Sequence, residues 1–471
     1  MLSVLAIVIS LALLIYLGYK GWSIVLLAPI LALLAAVLTA IFTGGEFHVL
    51  ATYTEVFMTN MAGYVKSYFP FFLLGAIFGT VMDQSGSAMA IADFIFDKLG
   101  KGKEALAVVL ACAVITYGGV SLFVAAFAIY PIGAVLFRKA GIPKRFLPGC
   151  IALGAFTFTM TAIPGTPQIQ NTIPMKYFGT DVFAAPVLGI IAALIMFIGG
   201  MIWLTTRIKH AMAKGEGYGD HPNETLAQID HSNLPSFGTA IIPVIAVIVV
   251  NFVLSKVVFV AANADKYAYL EGKPYNTALS SVAGTWALVI ALIVGILLVV
   301  IFNAKRFKKG IVETLKEGVS GSFLAVMNTA SEVGYGNVVK TLAGYEILAH
   351  AMLALSAGNP LVGGAISTSV LAGVTGSASG GMSIALATFA DTFSKQAEAM
   401  GISHEVLHRV VAVASGGMDT LPHNGAVITL LAVTGMTHKE SYVDIGMNTV
   451  IIPLISCVVI IILGSIVSAN P

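Results

Sequence analysis

Asp419, His423 and Asn424 fall within six residues of one another in GGMDTLPHNGAV (416–427), a polar stretch set between two apolar runs. A carboxylate and an imidazole, the latter with an unperturbed pKa of about 6.5, can carry a coupling proton. Thr420, His423 and Asn424 can read hydroxyls or coordinate an ion. Pro422 breaks any helix between Asp419 and His423, so a shared helical face cannot be assumed. Three more stretches have this character: TYGGVS (116–121), PGTPQIQN (164–171) and TGSASGGMS (375–383). The chemistry-bearing positions are Thr116, Gly118, Gly119 and Ser121; Pro164, Thr166, Gln168 and Asn171; and Thr375, Ser377, Ser379, Gly380 and Gly381. Glycines permit re-entrant turns and close backbone approach. A helix that restarts after such a turn presents unpaired N–H groups and about half a positive charge, which suits a carboxylate. The plainer reading is that these small residues only let helices pack closely; four clustered breaks favour a binding site for a small organic anion. Asp83 in VMDQSG and Glu332 in ASEVGYG join Asp419 and His423 as candidates for ion or proton coupling, because ionisable groups at membrane depth are costly. Each has an alternative reading as a helix-cap or interface residue.

The elements that position these residues are membrane helices. Of 471 residues 58% are hydrophobic and 10% charged, with a mean hydropathy of +0.93; a soluble domain carries about 25% charged residues. Runs 3–19, 24–42, 187–204, 240–254, 281–302 and 445–467 are long enough to cross about 30 Å of hydrocarbon as helices. Barrel strands would alternate, and nothing here does. Non-helical backbone at that depth survives only where protein buries it or it lines a wet cavity. The first apolar run lacks a preceding basic residue and reads as a retained helix. Cys112, Cys150 and Cys457 lie in apolar stretches without metal-ligand spacing, so no metal or cofactor is expected. A net charge of +2 gives no reason to expect nucleic acid.

Basic clusters at Arg138, Lys139, Lys144 and Arg145, at Arg207, Lys209 and Lys214, and at Lys305, Arg306, Lys308 and Lys309 place three loops in the cytoplasm. Loops 45–66 and 261–277 have mixed charge and fit outside, which puts both termini outside. The two halves look alike: Pro167 follows Ser121 by 46 residues, and Pro422 follows Ser379 by 43. The loop between the breaks is purely basic in the first copy and mixed in the second, so the copies are expected to face opposite ways. Inverted repeats with broken helices at matching places mark a secondary transporter with a midplane site. The expected organisation is scaffold helices 1–66, repeat 67–205, cytoplasmic linker 206–236, central scaffold helices 237–309 and repeat 310–471.

One motif competes. HEVLH (404–408) has the two-histidine, one-glutamate spacing of zinc proteases, which keeps an intramembrane metalloprotease as an alternative; but it opens the helix leading to the 416 break from an outer loop, which favours chance. GEGYG (215–219) follows no strand, and no Walker A pattern occurs, which leaves ion-coupled transport or passive conduction.

YGGVSLF, PGTPQIQNTIP, TGSASGGM and especially HRVVAVASGGMDTLPHNGAV resemble the gluconate permease (GntP) family of bacterial proton symporters, over essentially the whole chain. The resemblance implies the all-α, polytopic fold of the ion transporter superfamily: two inverted-topology repeats, re-entrant hairpins dipping from each side, and a transport domain moving elevator-fashion against a scaffold, usually in a homodimer of the inner membrane. It implies import of a small hydroxy-monocarboxylate such as gluconate or 3-hydroxybutyrate with protons, Na+ being the other possible cation, and it keeps D-serine as an alternative substrate. By position, Gly118–Ser121 and Ser377–Gly381 would be the hairpin tips, and Pro164–Asn171 with Asp419–Asn424 would complete the cavity. His404 departs from the family pattern, in a loop.

Overall fold

The computed structural model describes residues 2–20, 22–46, 48–99, 101–221, 234–261, 264–356, 358–422 and 424–469. The described residues are helical or irregular, without a strand. Six helices are long and apolar enough to cross a membrane: α2 (Ile24–Thr43), α3 (Val49–Gln84), α9 (Pro186–Ala213), α10 (Phe237–Ala261), α11 (Leu279–Asn303) and α18 (His438–Ile466). Apolar side chains dominate both their inner and outer faces. On α9, Val187, Ile190, Leu194, Ile198 and Ile202 are exposed at helical spacing, the pattern of a helix whose outer stripe meets lipid rather than water. The chain is a multi-pass membrane protein.

Between these spans lie shorter helices in two matching series. The first is α3, α4 (Ser87–Leu99), the pair α5 (Glu104–Tyr117) and α6 (Leu122–Ala140), then α7 (Leu147–Ala155), an irregular stretch holding one turn (Phe158–Thr161), α8 (Ile169–Phe178), and α9. The second is α12 (Ile311–Lys340), α13 (Tyr345–Leu355), the pair α14 (Pro360–Thr375) and α15 (Ala378–Ala399), then α16 (His404–Ser415), a break, α17 (Gly425–Thr434), and α18. Each series therefore runs as long helix, short helix, helical hairpin, broken helix, long helix. α1 (Leu2–Tyr19) and α2 precede the first, and α10 and α11 separate the two.

The series are inverted. A Cβ on Gly318 would meet Ile77, and one on Gly334 would meet Phe57, so the matching helices α3 and α12 lie against each other antiparallel. The loops with the basic clusters share one face: Arg145 pairs with Glu216 and lies 3.7 Å from buried Asp444, which Arg207 also contacts at 3.2 Å, and Gln84 bonds Glu317 beside Lys309. The hairpin α5–α6 rises from that face. The opposite face holds the ion pairs Lys340–Asp391 and Lys256–Asp181, the base of hairpin α14–α15, Ser3 against Gly344, and Ser465 bonded to Asn359 at 2.9 Å.

Residues 49–66, polar enough to read as loop, are helical and pack on α12, so position 66/67 lies inside α3; position 205/206 lies inside α9. Much of the linker, 222–233, lies outside the described residues.

Candidate functional site

Each hairpin tip closes on a glycine that occupies the left-handed region, Gly119 at φ +100° and Gly376 at φ +63°, which an L side chain adopts only with strain. Behind the second tip, a Cβ on Gly381 would lie 2.1 Å from the Ala372 backbone nitrogen, so the two arms of hairpin α14–α15 cross at a distance only glycine allows. The tips end partway through the molecule, and α6 and α15 restart there with their N-termini pointing inward.

The residue before each second half-helix ties a break to its hairpin. Gln168 is the N-cap position of α8, and its side-chain amide donates to the carbonyls of Thr116 (2.7 Å) and Val120 (3.2 Å) around the first tip. Asn424 is the N-cap of α17 and does the matching job: its Nδ2 donates to Gly376 O (2.6 Å) and Asp419 O (2.7 Å), while its Oδ1 accepts from the Ala426 and Val427 amides. Tyr117 OH donates to Pro164 O at 2.8 Å. The breaks also touch each other, since a Cβ on Gly416 would lie 2.9 Å from Thr161 Cγ2. Tip, break, break and tip thus form one contiguous chain of contacts, and the N-termini of α6, α8, α15 and α17 are gathered around it.

A buried cation braces this chain. Arg409 of α16 is fully buried and has no ion-pair partner among the described residues. Its five N–H donors go to Ala184 O twice (2.9 and 3.1 Å), Thr161 O (3.1 Å), Val182 O (3.3 Å) and Asn171 Oδ1 (2.9 Å). Asn171 in turn donates to Thr166 O and Val182 O. The second repeat therefore holds the irregular backbone of the first in shape. His408, also fully buried, has Nδ1 2.6 Å from Thr180 Oγ1 and Nε2 3.3 Å from Asn171 Oδ1. This removes the basis of the metalloprotease reading. Both ring nitrogens of His408 are bonded within the fold, Glu405 accepts from the Ala185 amide, and no group of three metal-ligating side chains forms among the described residues.

The expected coupling residues separate. Glu332 is 4% exposed in α12, and a Cβ on Gly380, in the first turn of α15, would lie 2.4 Å from its carboxylate. It stands against the positive end of the second hairpin's helix, with Tyr64 nearby. Asp419 lies in the second break with Oδ1 buried and unpartnered. Asp83 is exposed at the end of α3 on the basic face, near Glu317. It sits at the terminus of its helix, whereas Glu332 lies eight residues before the end of α12. His423 lies outside the described residues.

The remaining expected binding residues fall into four sets. Asn171, Gln168 and Asn424 are buried stitches. Thr375 and Thr420 commit their hydroxyls to the fold, to Leu371 O (2.8 Å) and Thr449 Oγ1 (2.7 Å). Thr116 and Thr166 have buried hydroxyls with no protein partner, beside an α8 N-terminus that lacks a side-chain cap. Gly118 packs on Val244, Gly380 on Glu332, and Ser377 caps α15 through Gly380 N (3.0 Å) with Ser379 3.4 Å away; Ser121 is exposed. Sequence reasoning missed Arg409 and met His408 only as part of the HEVLH motif. A cavity of about 1110 Å3 lies away from the tips, at the base of hairpin α5–α6.

Comparison with known proteins agrees with this architecture. A family model described as GntP family permease matches residues 2–467. The chain is 45% identical over 463 residues, 96% of each protein, to an uncharacterised transporter, YxjC, of Bacillus subtilis (strain 168). Two solved structures have similar folds: the Alcanivorax borkumensis YdaH transporter (TM-score 0.56, 15% identity, 90% of this chain and 89% of that one) and Neisseria gonorrhoeae MtrF (TM-score 0.54, 14% identity, 89% and 84%).

Proposed function

The chain belongs to the GntP permease family and is a transporter, and from that premise we propose that it imports a small hydroxy-monocarboxylate, of the gluconate or 3-hydroxybutyrate class, together with a proton across a bacterial inner membrane. The observation that carries the reading is the gathering of four half-helix N-termini around one contiguous set of breaks. Their partial positive charges, reinforced by the unpaired charge of Arg409, favour an anion deep in the protein. The uncapped α8 N-terminus offers N–H donors to a carboxylate, and the unpartnered Thr116 and Thr166 hydroxyls beside it suit substrate hydroxyls.

Glu332 carries the proton in this reading. Ionised, it satisfies the positive end of α15 itself; protonated, it leaves that positive end to the incoming anion. Proton and substrate anion then load together in the state in which the first turn of α15 faces Glu332. Asp419 is the second candidate for this role. Transport proceeds by an elevator step in which hairpins and broken helices slide against α1–α3 and α10–α12, in a homodimer.

The test is uptake by purified protein in proteoliposomes, with pH and Na+ gradients imposed separately and gluconate, 3-hydroxybutyrate and D-serine offered in turn. Accumulation of a hydroxy acid under an inward proton gradient is expected. Glu332→Gln should lose accumulation and keep substrate exchange. Accumulation driven by Na+ alone, or an unaltered Glu332→Gln protein, would overturn proton coupling at this residue.

A further inference from the structure

The cavity of about 1110 Å3 at the base of hairpin α5–α6 is bounded by α4, the start of α5, α6, α9 and the turn between α4 and α5. Its floor is apolar, built by Leu106, Ile132, Leu136, Met201 and Ile208. Four lysines border it: Lys101 and Lys103 from the turn, Lys139 from the end of α6 and Lys209 from the end of α9. All four are exposed, and none has an ion-pair partner among the described residues. Three acids also border the cavity, Asp93, Asp97 and Glu104. Glu104 already accepts from Gly102 N at 2.8 Å. The lysines stand on the basic face, near the ends of α6 and α9 and in the turn before α5.

We propose that this cavity is a binding site for an anionic phospholipid, its acyl chains on the apolar floor and its phosphate among Lys101, Lys103, Lys139 and Lys209. An apolar floor of this size rewards acyl chains. Unpaired lysines at a membrane surface attract anionic headgroups. A soluble anion would use the rim and leave the floor wet, and a zwitterionic lipid would use the floor and gain little from the rim; an anionic lipid satisfies both. The site lies between α4 and the hairpin that carries the first tip, so its occupant would touch the base of an element that binds substrate in the reading above. The lipid proposal itself does not rest on that reading.

Native mass spectrometry of the full-length protein in detergent tests it, with phosphatidylglycerol, phosphatidylcholine of the same chains, or inorganic phosphate added. Retention of phosphatidylglycerol over phosphatidylcholine by about tenfold or more is expected. The variant Lys101→Gln/Lys103→Gln/Lys139→Gln/Lys209→Gln should lose that preference while retaining the wild-type thermal unfolding midpoint. Phosphate should not displace the lipid. Equal retention of the two lipids, an unchanged preference in the variant, displacement by millimolar phosphate, or burial of the four lysines against a second copy would each overturn the proposal.

Discussion

Arg409 directs all five of its N–H groups to acceptors drawn from a segment more than 220 residues earlier in the chain. Guanidinium geometry is what makes this possible, because its donors fan out in a plane toward several carbonyls at once. A lysine has three donors on one atom and cannot reach all four acceptor groups. Arg409→Lys should therefore leave at least one or two of them buried and unpaired, at about 1–3 kcal/mol each. A lower thermal unfolding midpoint in detergent and a collapse of maximal uptake rate are expected, with Asn171→Ala giving a similar but smaller loss. Wild-type stability in Arg409→Lys would show that the brace is dispensable. The sequence did not announce this role. HEVLHR follows a charged loop, and an arginine there reads as a surface residue; burial comes from packing against the other helical series, which no local pattern reveals. The available signal was the apolar run directly after it, 410–414, which makes Arg409 the last charge before the break.

The breaks themselves were legible because each interrupts an apolar run with glycine, proline and short polar side chains, and a membrane helix yields to such a run only where protein rescues the backbone. Gln168 and Asn424 stand out in the sequence as polar residues of the breaks, but their job as matched stitches between break and hairpin depends on three-dimensional pairing. Helix limits were less legible. The outer part of α3 carries Thr52, Thr54, Glu55, Thr59 and Asn60, a composition that suggests loop until α12 is packed along it. At the hairpin, backbone contact makes a sharp prediction. Gly381→Ala would put a methyl group 2.1 Å from the Ala372 nitrogen and 2.3 Å from its Cα, and neither is the end of a flexible side chain. It should destabilise the protein by about 1–3 kcal/mol, as overpacking does, and abolish uptake. Gly425→Ala, also at a helix start, meets nothing within 4 Å and should leave the unfolding midpoint unchanged or slightly raised. If both variants unfold alike, the arms of α14–α15 are not in this close crossing.

At the scale of the whole molecule, two inverted series share one long seam, α3 against α12, and each offers its hairpin and broken helix to the other. Loop charge made the inversion readable in the sequence, because the loop between the breaks is purely basic in the first copy and mixed in the second. In the proposed elevator step the same arrangement would separate a stationary part from a sliding one. α12 packs along α3 and α2, whereas α15 belongs to the hairpin, so an elevator step must shear the α12–α15 contact. A Cβ on Gly336 of α12 would lie 3.4 Å from Ala387 Cβ of α15, close to the Cβ separation of about 3.5–4.5 Å that a disulfide adopts. Cys112, Cys150 and Cys457 are buried, so an added pair should oxidise with little competition. The Gly336→Cys/Ala387→Cys protein is expected to lose uptake on oxidation and recover it with dithiothreitol, while each single variant transports under both conditions. An oxidised, cross-linked protein that still transports at the wild-type rate would mean that α15 does not move past α12, and that access alternates through hairpin opening alone.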